Sequence, residues 1–421
     1  MTGPAAIQRT YLVLMLGNTL AASLIWGINT IFLLDAGLSN LEAFAANAFF
    51  TGGMVLFEVP TGVVADTVGR RASYLLGTLT LSGATLLYVL LWQVEAPFWA
   101  WAAASLLIGL GFTFFSGAVE AWLVDALRAT GFDGALESVF GRGQIVSGVA
   151  MLTGSVAGGF VAEQVSLGAP FVLRAVILAV MFAVAFVLMR DLGFTPVRGE
   201  RPLPAMRRIA SASIEYGWRV PAVKWLTVQS LFTGGVAVYS FYALQPYLLD
   251  LYGDPHAYQI AGLVAAIVAG AQILGGIAAS RIRRRFHRRT SALIATAALS
   301  SLTLALIGLV EDFWAVLALI VCWGLLYAAS MPIRQTYLNG LIPSGERATI
   351  LSFDSMMASS GGVWAQPALG RAADAWGYAP TYLMSAGISV LALPFLLLSR
   401  RQDAPADRID ATEAEVAPQP A

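Results

Sequence analysis

The residues of this chain with the most chemistry in them are charges set inside long apolar runs. Glu58, Glu120, Arg142, Arg334 and Asp354 each interrupt a stretch that is otherwise nearly free of charge. A charged side chain at the centre of a bilayer costs roughly 2.5–3.5 kcal/mol on insertion scales, so it persists where it pairs, gates a path or carries a proton. A second set stands together in Gly62-Val-Val-Ala-Asp66-Thr-Val-Gly69-Arg70-Arg71. Its glycines permit a tight turn, and its carboxylate can meet a helix N-terminus or an arginine. A third set is Asn18, Trp26 and Asn29, with Tyr239, Tyr242 and Gln245. A few polar groups among apolar ones suit a cavity for a lipophilic or amphipathic small molecule, and these six are the candidate lining; packing is the plainer role for the aromatics. Catalytic groups are not expected. The two histidines, His256 and His287, lie far apart in polar loops, and no Gly-x-x-x-x-Gly-Lys cradle for phosphate occurs. No metal and no cofactor is expected.

The elements that must position these residues follow from composition. Of 421 residues, 58% are apolar and only 12% charged, against roughly 45–50% and about 25% in soluble domains. That excludes a soluble enzyme, a nucleic-acid binder and a disordered scaffold. A helix crosses a bilayer with ~20 apolar residues, and hydropathy divides the chain into twelve such runs. The first six are Tyr11–Leu34, Leu41–Ala65, Ala72–Gln93, Phe98–Ala126, Phe140–Ala162 and Phe171–Met189. The second six are Val223–Leu249, Tyr258–Ala279, Ser291–Val310, Phe313–Asn339, Ala348–Leu369 and Thr381–Ser399. The first run is too long for a signal peptide's apolar core and reads as a permanent span. Cys322, the single cysteine, reads as a small packed side chain. Pro246 and Pro332 are expected to kink spans seven and ten. Trp92, Trp99 and Trp101 are expected to anchor one membrane interface.

Basic residues set the topology. Arg9, Arg70, Arg71, Arg128, the run from Arg281 to Arg289, Arg347 and the tail arginines fall on one side. The other side keeps Arg174 and Arg371 among acids such as Asp35, Glu42, Glu95, Asp250, Glu311 and Asp312. The positive-inside rule then puts both termini in the cytoplasm of a multi-pass protein of the cell membrane.

The chain also matches itself. Leu33-Leu34-Asp35 corresponds to Leu248-Leu249-Asp250, and Gly62-Val-Val-Ala-Asp66 to Gly276-Ile-Ala-Ala-Ser280. Ser116-Gly-Ala-Val-Glu120 falls on Ser330-Met-Pro-Ile-Arg334, Asp125 on Asn339, and Ala169-Pro170 on Ala379-Pro380. The order is kept and the offset is nearly constant. Two six-helix halves are expected, residues 1–189 and 223–399, joined by a cytoplasmic loop over 190–222 and followed by a polar, mobile cytoplasmic tail over 400–421.

The loop after span two resembles the signature of the major facilitator superfamily: Gly, three residues, Asp, two residues, Gly, Arg, then Arg or Lys. Its place and sidedness agree with that family. The resemblance implies an all-α membrane protein of twelve transmembrane helices in two pseudo-symmetric six-helix bundles, with the substrate bound between halves. It implies that Gly62, Asp66, Gly69, Arg70 and Arg71 form a conformational latch. Asp66 would bond near the start of span eleven, and Arg70 would bridge to Asp125. The second copy is degenerate, with Ser280 at the Asp position.

Span five carries Gly154-Ser155-Val-Ala-Gly158-Gly159, similar to the Gly-Pro-x-x-Gly-Gly stretch of twelve-span drug/proton antiporters, with Ser155 in place of the proline. Close helix packing alone would also account for it. The mid-span arginine of those antiporters has no match, since Ser105 precedes Gly109. The five intramembrane charges share a shelf roughly 8–10 Å inside one boundary, at 1.5 Å per residue. They are an inner gate, proton-coupling groups, or static pairs within one half. Glu120 and Arg334 hold matching repeat positions with opposite sign.

The expected function is secondary active transport of a small organic molecule by alternating access, with protons as coupling ion and efflux as direction. Uptake or uniport of a metabolite is the alternative within transport, and a polytopic sensor or enzyme the alternative outside it. The expected partners are the small-molecule substrate, protons and the lipid bilayer, with no nucleic acid and a monomeric state.

Overall fold

The structure, a computed structural model, describes residues 3–196, 218, 220–283, 285–342 and 347–409, except for the side chains of 280, 282, 283, 347–349 and 352. Helices make up nearly all of it. The first half runs α1 (Pro4–Trp26), α2 (Asn29–Asp35), α3 (Asn40–Thr67), α4 (Arg70–Gln93), α5 (Phe98–Thr113), α6 (Ala118–Ala129), α7 (Leu136–Gln164) and α8 (Ala169–Leu188). The second runs α9 (Pro221–Tyr252), α10 (Tyr258–Arg283), α11 (Arg289–Ile307), α12 (Phe313–Leu341), α13 (Arg347–Trp376), α14 (Tyr378–Val390) and α15 (Ala392–Arg400).

Each of the twelve apolar runs is one helix or one interrupted pair. Span one bends by 47° where α1 meets α2. Span four breaks between α5 and α6, where Gly117 takes φ +67°, a conformation costing roughly 1–2 kcal/mol for a residue with a β-carbon. The helices α9 and α12 run on through Pro246 and Pro332. Among the described residues, nine helices, or ten with α1 and α2 taken as one span, are long and apolar enough to cross a membrane. The other two, α9 and α13, reach 32 and 30 residues but fall short of that apolarity, a feature that returns at the candidate site.

The chain divides into two compact units. Unit 1 takes Met1–Leu38, Phe49–Met206 and Pro255–Ala266; unit 2 takes Ser39–Ala48, Arg207–Asp254 and Ile267–Ala421. Chain order is therefore broken twice: the first turns of α3 belong to unit 2, and those of α10 to unit 1. Inside each unit the packing scheme is the same. In unit 1, α1 lies along α7, and α4 along α8 and α5. In unit 2, α9 lies along α13, and α11 along α12 and α14. These are the pairings a six-helix repeat requires. Glycines allow the closest of them: a β-carbon on Gly158 of α7 would run into the Leu24 carbonyl of α1, and one on Gly154 into the Ser23 hydroxyl.

Helix starts are satisfied by matched carboxylates. Asp191, after span six, accepts from the Arg71 backbone N–H at 2.9 Å, at the start of α4. Asp407, after span twelve, accepts from Thr290 N and Oγ1 at 2.7 Å, at the start of α11. Within unit 2, Asp374 accepts from Asn40 N at 2.8 Å and Leu41 N at 2.9 Å, capping α3. Within unit 1, Glu163 accepts from Gln259 N at 3.0 Å, capping α10. Each satisfies N–H groups that the helix itself leaves unpaired.

Three expectations need correction. The tail is packed up to Ile409, because the Asp407 carboxylate, 1% exposed, is bound by the start of α11, and Arg288 pairs with Asp403 at 2.8 Å. The remainder, 410–421, lies outside the described residues. Trp101 is a core residue, wholly buried against Phe32 and Tyr88, with its indole N–H on the Ala96 carbonyl at 3.1 Å; Trp99 beside it is exposed. Cys322 is exposed, since it lies off the α12 face that carries buried Trp323.

Candidate functional site

Unit 2 carries a half-open cavity of about 150 Å³. Helical periodicity builds it. On α12, Trp323, Tyr327, Ser330 and Arg334 follow at spacings of three and four, so they form one stripe. On α9, Gln229, Thr233 and Ala237 do the same, and Thr296 and Ser300 of α11 complete the polar wall. The polar stripe explains why α9 falls short of the apolarity of its neighbours.

Arg334 is the centre of charge. Its Nη1 donates to Asp354 Oδ2 at 2.6 Å, its Nη2 donates to Asp354 Oδ1, and Nη2 also donates to the Leu226 carbonyl at 3.2 Å. Both side chains are largely buried, 13% and 10% exposed. A bidentate arginine–carboxylate pair is the geometry that best offsets desolvation of two ions. Asp354 on α13 stands behind the arginine and off the cavity wall.

The other intramembrane charges stand differently. Glu58 accepts from the Ser116 hydroxyl in unit 1 and is exposed. Glu120 occupies the first turn of α6, also exposed, with no hydrogen bond or ion pair among the described residues. The helix N-terminus favours its negative charge. Arg142 on α7 is exposed and likewise has no ion pair among the described residues. The structure thus brings Arg334 and Asp354 together and keeps Glu58, Glu120 and Arg142 out of that pair.

In the loop after span two, Arg70 forms its ion pair with Asp66, four residues back, and lies over the Phe194 ring at 5.7 Å. Asp125, the expected partner of Arg70, instead sets its backbone carbonyl against Gly193. Gly69, at φ +132°, leaves room for the Asp191 carboxylate, which a β-carbon would strike. Arg71 donates to the Phe186 carbonyl at 2.6 Å and stacks on its ring. Gly62 has open space around it. The expected contact of Asp66 falls beside 343–346, outside the described residues, as do the side chains of Ser280 and Arg347.

None of the six residues expected to line a cavity lines the unit 2 cavity. Asn18 accepts from the Tyr74 hydroxyl at 2.7 Å. Tyr239 is wholly buried, donating to Thr381 Oγ1 at 2.7 Å with its ring against Phe44. Gln245 is buried, while Trp26, Asn29 and Tyr242 are half-buried. The unit 2 cavity is lined earlier along α9, at Gln229 and Thr233. The signal was present as polar residues at helical spacing, but none is charged, so a search for charges passes over them. Asp191 and Asp407 were passed over because each sits beyond its bundle.

The sequence matches the family profile of the Major Facilitator Superfamily over residues 10–366, and again over 231–420. The chain belongs to the major facilitator superfamily. It is a multi-pass membrane protein of a transporter family. The second match, confined to the C-terminal half, agrees with the internal repeat. A comparison with curated proteins found no match. Among solved structures, the superfamily fold recurs in a mutant form of the nucleoside transporter NupG, at 13% identity and TM-score 0.75, covering 93% of this chain and 99% of that one. It recurs in the POT family transporter PepTSo, at 14% identity and TM-score 0.73, covering 96% and 99%. A POT family transporter in complex with 5-aminolevulinic acid gives 11% identity and TM-score 0.70, covering 93% and 94%. At these identities the likeness is one of fold.

Proposed function

We propose that this superfamily member is a secondary active transporter that moves a small organic molecule by alternating access, with protons as the coupling ion and export as the direction. The observation that carries the reading is the family match, which spans the helices of both halves. Proton coupling is supported by Glu120, a carboxylate on a membrane span that is exposed at a helix start and holds no partner among the described residues. Arg334 and Asp354, each tied to the other, suit a positioning role. The glycine run of α7 supports export through its likeness to drug/proton antiporters. In this reading Asp66, Arg70 and Arg71 hold one conformation at the cytoplasmic face, where their positive charge belongs.

Uptake or uniport of a polar metabolite is the second reading. The polar wall of the unit 2 cavity favours it, together with fold neighbours named as nucleoside and peptide transporters.

The test is purified protein in proteoliposomes with an imposed pH gradient. Accumulation of a candidate compound against its own gradient, abolished by an uncoupler, supports proton coupling, and its sign gives the direction. Flux indifferent to the pH gradient would remove the proton from the proposal.

A further inference from the structure

Where α9 starts and α15 ends, unit 2 carries three cations with no acidic partner among the described residues: Lys224, Arg400 and Arg401. Asp403, the next acid along the chain, is taken by Arg288 at 2.8 Å. The first turn of α9 holds no acid either. Both arginines are exposed. Lys224 is the only lysine in the sequence, and its Nζ lies 4.8 Å from the centre of the Trp218 ring and 4.7 Å from that of Trp225. Such a contact places an ammonium over aromatic rings but leaves its charge unneutralised. The Ser399 hydroxyl donates to the Ala222 carbonyl at 3.0 Å, which sets the two helix ends side by side.

An aromatic ladder runs on from these charges. Trp225 stacks on Phe395 with centroids 6.1 Å apart, and Phe395 on Phe232 at 5.6 Å. All three rings are half-buried. Trp225 and Phe232 are two turns apart on α9, so the ladder covers about 10 Å of depth at 1.5 Å per residue. Leu391 and Leu397 stand exposed on either side of Phe395 in the sequence.

The matching seam of unit 1 is built otherwise. The repeat sets Thr10, Gly17 and Ala185 at the positions of Trp225, Phe232 and Phe395, and Asp191 at that of Arg401. Thr10 and Ala185 are buried, and a β-carbon on Gly17 would strike Met181 of α8. The positive-inside rule asks for basic residues in both units. It does not ask for a ladder of half-buried rings beneath unneutralised ones.

We infer that the seam between α9 and α15 is a binding site for an anionic phospholipid. The phosphate meets Lys224, Arg400 and Arg401, and one acyl chain lies along Trp225, Phe395 and Phe232. The headgroup supplies the negative charge that the protein lacks there, and basic pockets between membrane helices bind such headgroups. The ladder distinguishes a lipid from a free anion, which would leave the rings uncovered. The site is separate from the cavity and independent of the cargo.

The test uses the single lysine as reporter. Purified full-length protein is placed in phosphatidylcholine mixed micelles, with phosphatidylglycerol replacing a rising fraction of that lipid. Acylation of Lys224 by an N-hydroxysuccinimide ester is followed by mass spectrometry. Phosphatidylglycerol should slow it several-fold and saturably. Arg400→Gln with Arg401→Gln should raise the half-saturating fraction about thirtyfold, roughly fivefold for each cation lost. Arg9→Gln, which removes an exposed charge at the unit 1 position matching Lys224, should leave that fraction unchanged. Glycerol 3-phosphate, a headgroup without chains, should not protect. Equal acylation in the two lipids overturns the assignment, and so does unchanged protection in a monodisperse double variant. An equal shift from Arg9→Gln would reveal surface charge alone, and protection by glycerol 3-phosphate a free-anion site; either overturns it. If the double variant does not fold, the two lipids and glycerol 3-phosphate on the wild-type protein decide.

Discussion

At the same repeat position, unit 1 holds Glu120 in the first turn of α6 and unit 2 holds Arg334 deep within α12. The difference begins three residues earlier. Gly117 adopts φ +67° and ends one helix so that another can start. Its counterpart Met331 carries a β-carbon, stays helical, and lets α12 run unbroken from Phe313 to Leu341. The interrupted span gives Glu120 a helix N-terminus to stabilise its charge and leaves it exposed. The continuous span gives Arg334 no such terminus, so the arginine takes a counter-ion from α13. One backbone dihedral thus separates an exposed carboxylate at a helix start from a cation locked in a pair.

That contrast can be broken, and the largest effect should come from the pair. Asp354→Ala leaves a buried guanidinium unpaired and should cost about 3–5 kcal/mol, read as unfolding in detergent. The double variant Arg334→Met with Asp354→Leu should recover most of that loss, since an apolar pair of similar volume is often neutral. If the single variant proves as stable as the wild type, the pair is not what holds α12 to α13.

Gly117→Met makes unit 1 resemble unit 2 and should cost roughly 1–2 kcal/mol, the strain of a β-carbon in the left-handed region. Unfolding measurements check it, and an unchanged midpoint would mean that the turn is not required.

The capping carboxylates come next. Asp374→Ala should cost about 0.5–2 kcal/mol, the usual worth of an N-cap, and Glu163→Ala less, because it accepts one N–H where Asp374 accepts two. Amide hydrogen exchange at the starts of α3 and α10 reports each loss locally.

The smallest stability effect belongs to Glu120→Gln, within about 0.5 kcal/mol for an exposed side chain. Its flux should nevertheless fall at least tenfold under an imposed pH gradient. Full gradient-driven flux in that variant would remove Glu120 from the coupling scheme.

Much of the fold was legible in the residues. Period and length of the apolar runs gave every span, because a bilayer accepts little but helices, and the repeat gave the two sets of six. The breaks were harder to see. The helices continue through Pro246 and Pro332, where kinks are expected, while Gly27 and Gly117 mark the interruptions in spans one and four. A glycine shows that a turn is permitted, not that it is made. The candidate site was half legible. Arg334 and Asp354 stood out as charges, but their pairing depends on α12 lying where α13 can reach it. Gln229 and Thr233 carry no charge, and only the shared face of α9 reveals them as a wall.

Composition by itself determined that this chain lives in a membrane, as helices in two related halves, and the Asp66 loop pointed to its family. These properties are local or additive: apolar length, charge placement and motif spacing survive without knowledge of packing. Tertiary structure decided which charge meets which, that Asp191 and Asp407 close helix starts in the two halves, and that Gln229, Thr233 and Arg334 meet at one cavity. Those facts depend on distances of a few ångströms between residues far apart in the chain, and hydrogen bonds and ion pairs fall off steeply over such distances.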